Sequence, residues 1–257
     1  MNTPELRERC AQQLQAAAAR ATELTAFVGL DGFVDEIIHV VDKRDNAENF
    51  QRLRTITSLS VRLAAASGKS ANIELVNQLT KLGGNGPIMA NALASFGLKV
   101  TYLGNLGYPT LHPVFEPFSK RAEVHSIAEP GHTDALEFED GKIMLGKHYP
   151  LKEITWENIQ TRFGRDRFAA KFQSADLVGF VNWTMLPHMS DIWEKLRTEV
   201  VPKASKKPRK FFVDLADPEK RTHRDIEDAL KILTKFQGDV DVILGLNLKE
   251  AVEISSV

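Results

Sequence analysis

From residue 175 to residue 254 short apolar runs alternate with amphipathic stretches: "ADLVGFVNW", "PHMSDIWEKLRTEVV", "RKFFVDL", "PEKRTHRDIEDALKILTKF", "DVDVILGL" and "LKEAVEI". This alternation restricts the fold more than any other feature. Apolar runs of strand length without polar alternation read as strands buried on both faces. A helix between each pair is the crossover that parallel strands require. The expectation is an α/β chain, a parallel Rossmann-type sheet covered by helices on both faces. Upstream, "LTAFVGL" reads as a first strand, residues 47–66 as an amphipathic helix, 87–96 as a second helix and "KVTYLGNLG" as the strand after it. In such sheets ligands bind beyond the carboxyl ends of the strands, where "GLDGFVD", "NWT", "DLADP" and "GLN" fall.

The stretch "KLGGNGPIMANALASFGLKVTYLGNLG" places Gly83, Gly84, Gly86 and Pro87 directly before the 87–96 helix. Pro87 suits the first helical position, where its missing N–H would be unpaired anyway, and Gly97 suits the position just past the end. Between 123 and 149 the pattern shifts to period two around Asp140-Gly141, a hairpin signal. One face of that hairpin carries Leu136 and Phe138 and needs a cover, from the cleft or from a second subunit. One α/β domain with a small β appendage is expected.

Several classes of function drop out. The net charge of -1 and pI near 6.7 leave no electrostatic footprint for nucleic acid or an anionic membrane. The basic run 206–210 reads as a solvated loop entering a strand. A single cysteine, Cys10, excludes a disulfide framework or a cysteine metal site within the chain. The N-terminus lacks the apolar core of a signal peptide, and no run of about 18 apolar residues occurs, so a cytoplasmic setting is expected. "SGKS" at 67–70 has Leu63 where a phosphate-binding P-loop needs its leading glycine. No G-x-G-x-x-G follows a strand, and the histidines show no i, i+4 pairing for zinc.

What remains is a set of polar residues at strand ends: Asp31 and Asp35, the Gly83-Gly84-Asn85-Gly86 turn, Asn182, Asp214 and Asp217, and Asn247 with Glu250. Together they resemble the ribokinase-like (PfkB) carbohydrate kinases. The likeness rests on "GLDGFVDEI", on "GGNGPIMANALASFGLKVTYLGNLG" and on the Asn-x-x-Glu of "ILGLNLKEA". It implies a ribokinase-like domain across 1–257, with β-lid elements around 34–42, 72–82 and 123–149. It also implies ATP-dependent phosphorylation of a sugar or polyol hydroxymethyl group, with Mg2+. Asp31, Asp35, Gly83, Gly84, Asn85 and Asn182 would bind substrate; Asn247 and Glu250 would organise the ATP phosphates, with Glu250 at the metal. A homodimer through the lid is one option.

The chemistry suits these residue types. A carboxylate accepts from vicinal hydroxyls, and glycines let backbone N–H groups approach a sugar. A helix opening at Pro87 would offer free N–H donors to the ligand. Each residue also has a plainer role: Asp35 as a turn residue, Asp217 as a helix cap, Asn247 with Glu250 as a capping box. The sequence departs from the resemblance in having Ile88 where an asparagine is usual, in the 47–66 helix, and in lacking a Gly-Ala-Gly-Asp segment. The catalytic base is therefore expected beyond Val257, and the chain is expected to be an inactive N-terminal portion. A nucleoside or vitamin kinase, and a sugar-binding protein without catalysis, are the alternatives.

Overall fold

The computed structural model describes residues 3–203 and 210–257. After α1 (Pro4–Ala21) come β1 (Thr25–Leu30), β2 (Phe33–Arg44), β3 (Phe50–Arg52), α2 (Ile56–Ala65), β4 (Leu75–Gly83), α3 (Asn85–Ser95) and β5 (Lys99–Gly104). Then follow α4 (Glu116–Ser119), β6 (Glu123–Ser126), β7 (Gly131–Phe138), β8 (Gly141–Lys147), α5 (Trp156–Asn158) and α6 (Arg165–Ser174). The last part alternates as the sequence implies: β9 (Leu177–Val181), α7 (Met189–Lys195), β10 (Lys210–Asp214), α8 (His223–Thr234), β11 (Asp241–Gly245) and α9 (Leu248–Ile254).

Six strands pair in parallel in the order β11-β10-β9-β1-β5-β6. Along β1, successive side chains enter opposite cores. Phe27 packs with Phe168, Phe180, Trp183 and Trp193, whereas Ala26 and Val28 pack with Ala90, Tyr102, Phe115 and Phe118. Both faces are covered, which is why these runs lack polar alternation. The remaining strands form a lid sheet, β3-β2-β7-β8, with β4 also paired to β2. Among the described residues no helix is long and apolar enough to cross a membrane.

Four local expectations need correction. The 47–66 helix begins only at Ile56, because the Asn46 carboxamide oxygen accepts from Glu48 and Asn49 N–H and folds a turn that feeds β3 back onto β2. Thr55 caps α2, and Asp140 of the hairpin accepts from the Ile56 N–H. Helix α3 starts at Asn85 and not at Pro87; Gly84, at φ 94°, is its entry residue. Pro87 still lies in the first turn, where a missing N–H is harmless. Region 123–149 divides, since β6 joins the edge of the central sheet and only β7 and β8 belong to the lid. The Pro218 stretch forms a short turn, and α8 begins at His223 behind a Thr222–Asp225 capping box. Of the basic run 206–210, all but Lys210 lies outside the described residues.

Leu136 and Phe138 are buried against Ile38, Val40, Leu53 and Leu59. Their cover comes from the same chain, through β2 and α2, so this face is not the open surface from which a lid dimer was expected.

Candidate active site

Between the lid and the carboxyl ends of the central strands lies a cavity of about 560 Å³. The lid contributes Asp35, Thr133, Met144 and His148; the N-terminal end of α3 contributes Gly84, Asn85 and Ile88. Asn182 follows β9, Asp214 ends β10 and Asp217 follows it, and Asn247 and Glu250 open α9. The expected strand-end residues are thus brought together, except Asp31, Gly83 and Gly86, which do not line the cavity.

The first exception is Asp31, which is fully buried behind the cavity wall. Its Oδ1 accepts from the Gly86 N–H at 2.8 Å, and its Oδ2 accepts from the Asn85 N–H at 2.9 Å and from Asn182 Nδ2 at 2.7 Å. The Tyr102 hydroxyl donates to its backbone carbonyl. Burial pushes the Asp31 carboxyl up to about 6, against the pull of these hydrogen bonds. The expected sugar contact is therefore corrected: no Asp31 oxygen is exposed to the cavity, and the first N–H groups of α3 are already taken.

This geometry also explains the glycine cluster. A Cβ on Gly84 would come within 2.9 Å of Asp31 Oδ2, and one on Gly86 would strike Asp31 Oδ1 and the Tyr102 hydroxyl. The turn is glycine-rich because it wraps a buried carboxylate. Gly83, the second exception, is buried and does not line the cavity; a Cβ there would collide with the Asp35 carboxylate.

Asp35, half-buried on β2, faces the cavity beside Thr133, its register partner on β7. Burial raises its carboxyl, while Thr133 and Lys81 pull it back down. Asn182 is 5 % exposed and adopts a left-handed backbone at φ 65°. With its nitrogen committed to Asp31, its Oδ1 is a buried oxygen without a hydrogen-bond partner. The turn after it is held by Arg221, which lies over the Trp183 ring at 4.7 Å and donates to the carbonyls of Trp183, Thr184 and Leu186.

At the other end of the cavity Asn247 and Glu250 form the capping box. Asn247 Oδ1 accepts from the Glu250 N–H, and Glu250 Oε2 from the Asn247 N–H, both at 3.0 Å. Glu250 Oε1 accepts from the Asp217 N–H at 3.3 Å. Burial raises the Asp214 carboxyl, and the nearby charges of Glu250 and Asp217 add to this. Asp214 Oδ1 is buried with no hydrogen-bond partner. Among the described residues no group of three or more His, Cys, Asp or Glu could hold a metal. Mg2+, however, is commonly held by one or two carboxylates, with water and phosphate oxygens completing the shell. Asp214, with an unused oxygen beside Glu250, fits that donor set.

Thr133, Met144, Met185 and His148 were not anticipated. For Thr133 a signal existed: with Leu136 and Phe138 facing the lid core, period two sends Thr133 to the opposite face. His148 follows the hairpin and carries no such signal; burial and Lys220 hold its ring below the ordinary histidine range.

The parallel sheet order and the lid define a ribokinase-like fold. Solved structures share it: a carbohydrate kinase from Agrobacterium tumefaciens (TM-score 0.54, 17% identity, 91% of this chain and 63% of that one) and a fructokinase from Xylella fastidiosa (0.53, 15%, 91% and 62%). An adenosine kinase from Sinorhizobium meliloti is similar to the same degree (0.53, 17%, 91% and 67%). A curated ketohexokinase from Haloferax volcanii is 29% identical over 224 residues, which cover 86% of this chain and 60% of that protein. A family model described as prokaryotic ketohexokinase matches residues 2–257. The chain belongs to that family, and it spans about 60% of the length of the curated relative.

Proposed function

We propose that the protein transfers a phosphoryl group from ATP to a hydroxymethyl group of a sugar, with a ketohexose as the first candidate. One observation carries this reading: a single cavity joins hydroxyl acceptors, Asp35 and Asn182, to the carboxylates Asp214 and Glu250. Phosphoryl transfer requires positioning and charge neutralisation more than covalent help from the protein. Asp35, Asn85 and Asn182 would orient the polyol, and the lid residues Thr133 and Met144 would close over it. Asp214 and Glu250 would hold Mg2+, which when bound neutralises charge on the nucleotide phosphates. Asn247 acts here by capping α9 and fixing Glu250. No base is assigned within residues 1–257. The exposed thiol of Cys10 fits a cytoplasmic setting.

The test is ADP formation by the complete natural gene product with D-fructose, ATP and Mg2+, run beside adenosine and inosine. Turnover of D-fructose and not of the nucleosides is expected. Turnover of a nucleoside alone would replace the sugar reading, and sugar binding without turnover would leave a binding protein.

A further inference from the structure

Asn182 has one donor end and one acceptor end, and the fold decides which of them a ligand meets. An ionised carboxylate can only accept, so Nδ2 must face Asp31 and Oδ1 must face away. That Oδ1 is buried without a partner in a side chain that lines the cavity. A buried acceptor left unpaired is unfavourable, and a ligand donor arriving there relieves it. Asn182 cannot readily swing aside, since its left-handed backbone runs straight into the turn that Arg221 pins. The same carboxylate also holds the Asn85 and Gly86 N–H groups, and with them the end of α3 that brings Gly84 and Asn85 to the cavity.

We infer that Asp31 is a positioning residue that sets the polarity of the site: by taking the Asn182 amide nitrogen it fixes Oδ1 as an acceptor for one substrate hydroxyl. The inference rests on the sugar reading above and adds a rule of selection to it. Asp35 is likewise an acceptor when ionised, so this end of the cavity favours a ligand that presents donors. An analogue with one of those hydroxyls replaced by hydrogen leaves a buried acceptor unpaired and is rejected.

The experiment measures kcat and KM of the complete natural gene product for D-fructose and its monodeoxy analogues. The proteins compared are wild type, Asp31→Asn, Asn182→Ala and the double variant. In wild type, one deoxy analogue loses roughly tenfold or more in kcat/KM, the scale of one hydrogen bond at a buried partner. Asn182→Ala raises KM for D-fructose by roughly tenfold and abolishes discrimination against that analogue. Asp31→Asn shifts both in the same direction, and the double variant discriminates no differently from Asn182→Ala, because toward that hydroxyl Asp31 acts through Asn182; a further rise in KM in the double variant reports its separate hold on the Asn85 and Gly86 N–H groups. A merely structural Asp31 would lower the amount of active enzyme, hence kcat, and leave KM and the discrimination alone; that outcome overturns the inference. Should Asp31→Asn fail to fold, Asn182→Ala still decides, since retained discrimination sinks the proposal. Wild type that does not turn over D-fructose sinks the sugar reading and this inference with it, whereas unchanged variants sink the inference alone.

Discussion

The Asp31 carboxylate and the Asn182 side-chain amide meet at 2.7 Å across 151 residues of sequence. The bond joins the end of β1 to the end of β9, neighbours in the central sheet. With the Asn85 and Gly86 N–H groups on the same carboxylate, three elements converge on one buried charge.

That convergence reverses the usual effect of removing a glycine. In a helix interior Gly→Ala generally stabilises by up to about 1 kcal/mol. Gly86→Ala is expected to destabilise by about 1–3 kcal/mol, because its Cβ would strike Asp31 Oδ1 and the Tyr102 hydroxyl, both buried. Urea denaturation of the two proteins checks the sign; a Gly86→Ala protein more stable than wild type would show that the turn yields.

Asp31 should also leave a mark on the pH dependence of stability. Its folded-state value of about 6 stands above the ordinary 3.8 because of burial. A raised carboxyl contributes stability that is fully present below pH 3.8 and is lost as pH rises through about 6. The whole change corresponds to about 3 kcal/mol. The stability of wild type relative to Asp31→Asn should therefore fall as pH rises from about 4 to 6 and level off near 7. A difference independent of pH over that window would falsify the assignment.

Asp35→Asn is expected to weaken D-fructose binding by about 1.5–3 kcal/mol, the usual worth of a hydrogen bond to a charged group. The fold should survive, since β2 pairs with β4 and β7 through its backbone. Calorimetry reads the affinity and circular dichroism the fold. Unchanged affinity would remove Asp35 from the sugar contact.

Glu250→Gln tests the other end of the cavity. Both Glu250 oxygens accept backbone N–H groups, and a glutamine can serve only one of them, so a loss of about 1–3 kcal/mol in stability is expected. Removing the charge should also bring the Asp214 carboxyl down toward its ordinary range, because Glu250 helps to raise it. Carboxyl-carbon NMR titration follows Asp214 directly; a titration that does not move would mean the two carboxylates do not share a site.

Sheet, crossover helices and capping box could be read from residues 175–254 because each depends on short-range pattern: a doubly buried strand is continuously apolar, and a cap involves residues three apart. The need for glycine at 84 and 86 was visible too, but its cause was not. Asp31 and Asp35 stand four positions apart in one turn-and-strand segment, and no local rule separates a buried clamp from a cavity-facing carboxylate. Their difference is made by Asn85 and Asn182, which lie 54 and 151 positions away from Asp31 and reach it only when α3 and β9 pack beside β1. Residues 47–55 were misread for the same reason, since Leu53 repeats at helical spacing yet is buried in the lid core. Local chemistry sets which elements can form; burial, and with it the role of each charge, depends on which distant segments pack together.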